Sequence, residues 1–366
     1  MRTRRRRCSP TCSPRSRWGG PGPLTKSPSS SRGCRATPAH SPPAPATMCR
    51  ADGRRTEMSE RYLVTGANGC IGAWVVRHLH RAGAHVVAFD LGVDEHRHRL
   101  INDDAMPEVE WFHGDLTKAG DVLRAAEGAT RIIHLAALQI PFCRADPAAG
   151  AAVNVLGTVH VFEAAKSFGA RQVAHASSIA VYGAATDYVD EILPPGSERR
   201  PTTLYGVYKV ADEDLAKVYW AEHGVHSVGL RPHTVFGPGR DQGMTSLPSI
   251  AIEKAVRREA YHVEYGGRLD FHFSSDVARA FIFAATTPAD GARTYDLAGH
   301  AISVREFVDA IRDVTSFPDV TCGDRQLPVV AGVSGAEWAS IAGAPRPTPL
   351  REAIEESARI FRMVAT

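Results

Sequence analysis

The sequence predicts an α/β protein built on a doubly wound parallel sheet, with a smaller lobe supplied by the C-terminal part of the chain. From Arg61 onward, short β-branched runs alternate with helical stretches, and the first run leads directly into a glycine-rich turn. After about Arg231 the alternation becomes irregular and richer in Pro and Gly, which marks the lobe. Strand-helix repetition of this kind is accommodated by a parallel sheet whose crossover helices cover both faces, the Rossmann arrangement.

In chain order, strands are expected at 62–65, 85–89, 109–113, 131–135, 172–176 and 227–230, where Val, Ile, Phe and Tyr recur in short runs. Helices are expected at 71–82, 147–168 and 205–223, with a polar segment following the second strand. The domain boundaries follow: 1–57 a disordered basic extension, 58–231 the sheet domain, and 232–366 mostly the lobe, with residues near 270–287 returning to the sheet. Residues from about Arg293 onward, including Pro345-Arg346-Pro347-Thr348-Pro349 and a last amphipathic helix, are expected to complete the lobe.

With 366 residues, 43% hydrophobic and 23% charged, the chain can bury a large core, and collagen-like, coiled-coil and wholly disordered classes are excluded. No stretch approaches the roughly 18 uninterrupted apolar residues of a spanning helix, so a soluble chain without membrane association is expected. The formal charge of +3 hides an asymmetry: residues 1–57 hold 13 Lys/Arg against 2 acids, leaving 30 against 38 in the rest. A mildly acidic body offers no footprint for nucleic acid. Seven cysteines are present, four of them in the leading segment, with no paired or zinc-type spacing. Reduced thiols in a cytoplasmic protein, without structural metal, are the expectation.

Residues 1–57 open with Arg4-Arg5-Arg6-Arg7 and are rich in Ser and Pro, with no periodic apolar pattern. Arg and Ser with no acid before Asp52 suit a transit peptide, but nine prolines would break its amphipathic helix. An upstream extension, with translation starting at Met48 or Met58, is the other reading, and function is not expected to depend on the segment.

The turn after the first strand reads Thr65-Gly66-Ala67-Asn68-Gly69-Cys70-Ile71-Gly72 and opens the first helix, the context in which a glycine fingerprint binds a dinucleotide. Gly66 permits the tight turn and Gly72 lets helix and strand approach closely. Asn68, Gly69, Cys70 and Ile71 would close backbone N–H groups on the pyrophosphate. Asp90 ends the second strand 18 residues after Gly72, where a carboxylate accepts from ribose hydroxyls and repels a 2′-phosphate, favouring NAD over NADP. Asp115 and Leu116 after the third strand would sit beside adenine, and Ala136 and Ala137 after the fourth would leave room for the cofactor.

Tyr205 and Lys209 are four apart and share a helix face. A phenol is a weak base at neutral pH, but a neighbouring ammonium and an oxidised nicotinamide both favour the phenolate, so Tyr205 could move a proton while the nicotinamide takes a hydride. Ser178, at the end of the fifth strand, would hydrogen-bond the reacting oxygen.

These motifs resemble the extended short-chain dehydrogenase/reductases, the NAD-dependent epimerase/dehydratase family. The resemblance runs from about Arg61 to Thr287 and rests on 65–72, Asp90, 114–116, 134–137, 154–158, 177–183, 205–209, 231–239 and 276–278. It implies that Lys209 also binds the nicotinamide ribose, that Asn154 lies along the cofactor, that the strand end around His233 meets the nicotinamide, and that the chain dimerises through its two long helices.

Three departures bear on the substrate. Ile179 and Ala180 stand where the family's 4,6-dehydratases place an acidic pair, so dehydration of that type is not expected. Thr234 stands where nucleotide-sugar epimerases commonly have Asn, and Leu269 where they have an Arg that neutralises the diphosphate. Arg240 and Arg268 lie nearby and could clamp a phosphate or carboxylate, or be solvated surface residues. His134, His175 and His233 are expected to serve packing or backbone contacts; Tyr208 either narrows the pocket or packs at a dimer face. The expected activity is NAD-dependent hydride transfer at a carbinol carbon of a sugar, sugar acid or related polyol, the pocket being lined by Ser178, Thr234, Arg240 and Arg268. A redox-neutral UDP-sugar epimerase and a non-catalytic NAD sensor are the alternatives.

Overall fold

The computed structural model describes residues 60–364; the segment 1–57 and its two readings lie outside the described residues. A seven-stranded sheet is built from β1 (Arg61–Thr65), β2 (His85–Asp90), β3 (Glu110–His113), β4 (Arg131–His134), β5 (Gln172–Ala176), β6 (Ser227–Arg231) and β9 (Ala292–Asp296). Its order is β3-β2-β1-β4-β5-β6-β9 and every pairing is parallel. The order reverses between β1 and β4, so the chain leaves these neighbours in opposite directions and opens a crevice at their carboxyl ends. Leu63, Val64, Ile132, Ile133, Val173 and Ala174 are fully buried, because helices cover the sheet on both faces.

Helix α1 (Cys70–Arg81) covers one face together with α8 (Ser274–Thr286), which lies against β4 and β5. Helices α3 (Ala119–Ala125), α5 (Pro147–Phe168) and α6 (Leu204–His223) cover the other, and the two faces form separate apolar clusters. The segment after β2, expected only to be polar, forms a short helix α2 (His96–Ile101), held by Ile101 and by His98, whose ring meets the Ala67 carbonyl and the edge of Trp111. Another short helix, α4 (Ile140–Ala145), precedes α5. Helix α5 is long and apolar enough to cross a membrane by length and composition alone. It is a helix of the core here, packed on α3 and α6 and interrupted by a π-helical turn at Ala152–Leu156.

A three-stranded sheet of β7 (Thr234–Phe236), β8 (Arg268–Phe273) and β10 (His300–Ser303) lies beyond β6, backed by α7 (Leu247–Val256), α9 (Val304–Thr315) and α10 (Leu350–Val364). Here the structure departs from the expected lobe boundary. Ala292–Asp296 is not part of the lobe but the edge strand of the main sheet, with Ala292 opposite Ser227. Its half-buried Ala-Arg-Thr-Tyr-Asp sequence lacks the continuous apolar run of the inner strands, so pattern alone does not reveal it.

One buried carboxylate joins these elements. Glu213 on α6 accepts from Ser177 after β5 (2.5 Å), from Arg231 at the end of β6 (2.6 and 2.7 Å) and from Arg199 (3.1 Å). Arg231 also reaches Tyr182 at 2.7 Å and Asp296 of β9 at 3.3 Å. Removing the charge of Glu213 leaves the buried Arg231 with only the longer Asp296 carboxylate contact, so Glu213→Gln should cost about 3–5 kcal/mol in chemical denaturation.

Candidate active site

The glycine turn is shaped by close backbone approach. Gly66 takes a φ of 71°, and a Cβ there would lie 2.6 Å from the Ala136 nitrogen. A Cβ at Gly72 would lie 2.0 Å from the Gly66 carbonyl oxygen, which only hydrogen avoids. Helix α1 starts after Gly69 with no side-chain cap and no acid in its first turn, so its first N–H groups and the positive end of its dipole face the crevice uncompensated. Asp90 closes the turn: its carboxylate accepts from the Asn68 N–H at 2.9 Å and the Gly92 N–H at 3.0 Å. The Asn68 amide donates to the Gly92 carbonyl while its own oxygen is buried and unpartnered. A Cβ-free cradle, an uncapped helix start and an orphaned amide oxygen fit a dinucleotide, with Gly66, Asn68, Gly69, Cys70, Ile71, Gly72 and Asp90 as the residues that would hold it.

Arg97 of α2, which sequence pattern did not single out, clamps this turn. Its guanidinium donates to the Asn68 carbonyl (2.9 Å), the Gly239 carbonyl (3.0 Å) and Asp241 (2.6 Å). No local spacing links residues 142 to 144 positions apart, so the clamp is legible only in three dimensions.

Beyond β3 and β4, Asp115 caps its own turn, accepting from Thr117, and hydrogen bonds from the Thr117 hydroxyl and N–H hold its carboxyl below the usual range. Leu116 is buried, packed where α5 carries Gly157; its side chain would meet any Cβ there at 2.4 Å. Ala136 and Ala137 are half-buried at the crevice. Asn154 sits in the π-helical turn, fully buried, its amide spent on both backbone groups of Leu138 (2.7 and 2.9 Å). It braces the loop after β4. A directed chain runs behind it: Thr158 donates to the Asn154 carbonyl (2.6 Å) and so accepts from His134 Nε2, whose Nδ1 then accepts from Thr65. Burial holds His134 neutral, well below the usual imidazole range.

Ser178 follows β5 as the N-cap of the turn Ile179–Val181. Its Oγ accepts from the Ala180 N–H at 3.1 Å, leaving its hydroxyl hydrogen free to donate. Helix α6 begins at Leu204, capped by Thr203. Its first turn reaches the Ser178 turn because residue 206 is glycine: a Cβ there would lie 2.1 Å from the Ala180 carbonyl oxygen. Tyr205 and Ser178, both half-buried, are thereby brought to one edge of the sheet. Lys209 Nζ lies 5.8 Å from the Tyr205 ring centroid and 3.1 Å from Asp212 Oδ2. Burial, the largest single influence, pushes this ammonium down, but the Asp212 carboxylate together with Tyr205 and Cys143 outweighs it and the net direction is up. Such a set can hold a substrate hydroxyl and shuttle its proton.

The lobe residues separate. Thr234 is 1% exposed and its hydroxyl meets His233 Nδ1 at 3.0 Å. His233 Nε2 contacts the Val330 carbonyl at 2.8 Å, so this nitrogen carries the proton and the ring faces the C-terminal segment; burial pushes it down to about 4. The His233 ring thus makes the backbone contact expected of it, and the Thr234 hydroxyl is turned toward that ring. Leu269 is 2% exposed. Arg268 is exposed, with its guanidinium on the Ala301 carbonyl and 3.3 Å from Glu191. Arg240 donates to Thr245 at 2.7 Å, keeps its Nε buried without a partner, and faces Gly243, which also adjoins Gln139 in the loop after β4. Tyr208 donates to the Pro147 carbonyl at 2.9 Å, tying α6 to α5.

Residues 62–298 match a family model described as the NAD dependent epimerase/dehydratase family. The chain is 33% identical over 270 residues to UDP-glucose 4-epimerase of Mycolicibacterium smegmatis, covering 71% of this chain and 84% of that one. It is 28% identical over 261 residues to uronate dehydrogenase of Pseudomonas syringae pv. tomato, covering 63% and 88%. Among solved structures, MoeE5 in complex with UDP-glucose and NAD superposes with a TM-score of 0.68 at 28% identity, over 84% of this chain and all of that one.

Gly72→Ala should cost about 1–3 kcal/mol, since the obstructing atom is backbone, and should weaken NAD binding measured by calorimetry. His98, His175 and His233 are each pushed down by burial to about 4 from an ordinary 6.5. The unfolded chain therefore binds more protons between those values, and stability is present above pH 6.5 and lost as pH falls toward 4. The melting temperature should drop across this window; a flat profile would show that these rings titrate normally.

Proposed function

The chain belongs to the NAD-dependent epimerase/dehydratase family, and on that premise we propose that it is an oxidoreductase acting at a carbinol carbon of a sugar, sugar acid or related polyol. Bound NAD supplies the hydride acceptor and donor. The observation that carries the reading is the close approach of α6 to the Ser178 turn at Gly206, which sets Ser178, Tyr205 and Lys209 at one edge of the sheet. Ser178 holds the substrate oxygen with its free hydroxyl hydrogen, Tyr205 takes or returns that oxygen's proton, and Lys209 stabilises the phenolate and binds the nicotinamide ribose. Ile179 and Ala180 beside Ser178 have no ionisable side chain to give or take a proton, so elimination of water is not part of the reaction.

The burial of Thr234 and Leu269 supports a substrate without a diphosphate, because neither position presents a polar group to one. Arg240, with an unpartnered Nε, is the residue proposed to meet a substrate carboxylate or hydroxyl, in a lobe formed mostly by residues after 232. A second reading, redox-neutral epimerisation of a UDP-sugar, is favoured by the relatedness to UDP-glucose 4-epimerase and by the likeness to a structure solved with UDP-glucose.

We place the enzyme in the cytoplasm on its free cysteines Cys70, Cys143 and Cys322. We also propose a homodimer through α5 and α6, which leave Leu156, Phe168, Leu204, Val207 and Val218 exposed.

With purified protein, NAD and a panel of free sugars, sugar acids and UDP-sugars, NADH should accumulate with one of the free-sugar or sugar-acid substrates. Isomerised UDP-sugar without NADH would establish the second reading instead. Tyr205→Phe should lower turnover by about 10²–10⁴-fold, the contribution of a positioned proton-transfer group, with NAD affinity retained.

A further inference from the structure

Asp212 lies one turn beyond Lys209 on α6, and the ion pair between them is almost wholly buried, the side chains being 2% and 3% exposed. A lysine so placed without a counter-ion tends to lose its proton. Groups surround this pair from every packed element. Tyr205 lies on the same helix, Cys143 on α4, His134 and His175 at the ends of β4 and β5, and Asn154 and Thr158 on α5. Apart from the phenolate proposed for Tyr205, none of these supplies an anion: both histidines are held neutral by burial, and the Cys143 thiol, pushed up by burial, donates to the Leu138 carbonyl. Glu213 is adjacent, but its carboxylate is spent on Ser177, Arg199 and Arg231. Asp212 reaches Lys209 through Oδ2; burial pushes its own carboxyl up, against the opposing pull of Lys209 and the Thr158 hydroxyl.

Building on the reading of Tyr205 and Lys209 given above, we propose that Asp212 is the positioning counter-ion of Lys209. It keeps the ammonium charged and fixed at alkaline pH, with two N–H groups left for the phenolate and the cofactor ribose. Asp212 touches neither substrate nor cofactor and acts through Lys209 alone. Its sequence signal is weak, since an acid three residues after a lysine is ordinary on a solvated helix face.

The test compares full-length wild type with Asp212→Asn, an isosteric change that removes only the charge. In the cofactor-free protein, an uncompensated Lys209 has a lowered folded value, so the variant's stability rises with pH up to the ordinary lysine value of about 10.4. In the wild type the folded value is raised, and its stability does not rise over that range. The deficit in melting temperature should therefore narrow between about pH 7 and 10. In turnover, the variant should gain a descending alkaline limb of about tenfold per pH unit, the slope of one proton, which the wild type lacks.

A constant deficit with an unchanged pH profile would overturn the proposal and leave Asp212 a packing residue. Should Asp212→Asn fail to fold, the double variant Lys209→Met, Asp212→Asn decides: recovery of folding identifies the penalty as an unpaired buried charge, and failure of both overturns the proposal. Activity surviving in Tyr205→Phe would sink the catalytic reading instead, while the melting comparison would still decide the ion pair.

Discussion

The carboxylate of Glu213 is the interaction on which the proposed catalytic edge of this protein depends. One buried anion on α6 accepts from the ends of β5 and β6 and from the loop preceding that helix, and Arg231 passes the connection on to β9. Burial pushes its carboxyl up, yet the bonds from Arg231 and Ser177 outweigh that and hold it down, so it stays an anion. Ser178 follows Ser177 directly, and Lys209 is one turn before Glu213. The residues of the proposed chemistry therefore ride on strand ends and a helix fixed by a single polar centre. Such a centre contributes less to net stability than to uniqueness of arrangement, since replacing it with well-packed apolar groups can cost little while breaking it costs much.

Glycine supplies the second constraint, at positions where backbone meets backbone. Gly72 against Gly66 sets how closely α1 approaches β1, and Gly206 against Ala180 sets how closely α6 approaches the Ser178 turn. The first contact forms the cradle proposed for the pyrophosphate and the second assembles the proposed proton-transfer site. Parallel strand pairing then places both at the carboxyl ends of the strands, where the order of β1 and β4 reverses. Neither contact involves a side chain that does chemistry, yet the geometry of the chemistry rests on both.

The buried polar groups around the site divide into those already satisfied and those still open. His134, Thr158, Asn154, His233 and Thr234 have spent their donors and acceptors within the fold. Asn68 Oδ1, Arg240 Nε and the hydroxyl hydrogen of Ser178 have not. Burying a polar atom without a partner is costly, so the open set marks where ligand atoms would repay most.

Sequence alone determined the class of fold, the cofactor turn and the pairing of Tyr205 with Lys209, because each depends on spacing within one turn or one strand-helix unit. Glycine at 66, 69 and 72 and a tyrosine four residues before a lysine are local statements, and local geometry translates them directly. The tertiary structure alone decided the rest. Asn154 proved to brace the Leu138 loop, Thr234 and His233 to face each other, Arg97 to clamp Asn68 to Gly239, and Ala292–Asp296 to join the main sheet. Each depends on how side chains orient or which segments meet once the chain has folded, and a contact such as Arg97 to Gly239, 142 positions apart, leaves no periodic trace in the chain that makes it.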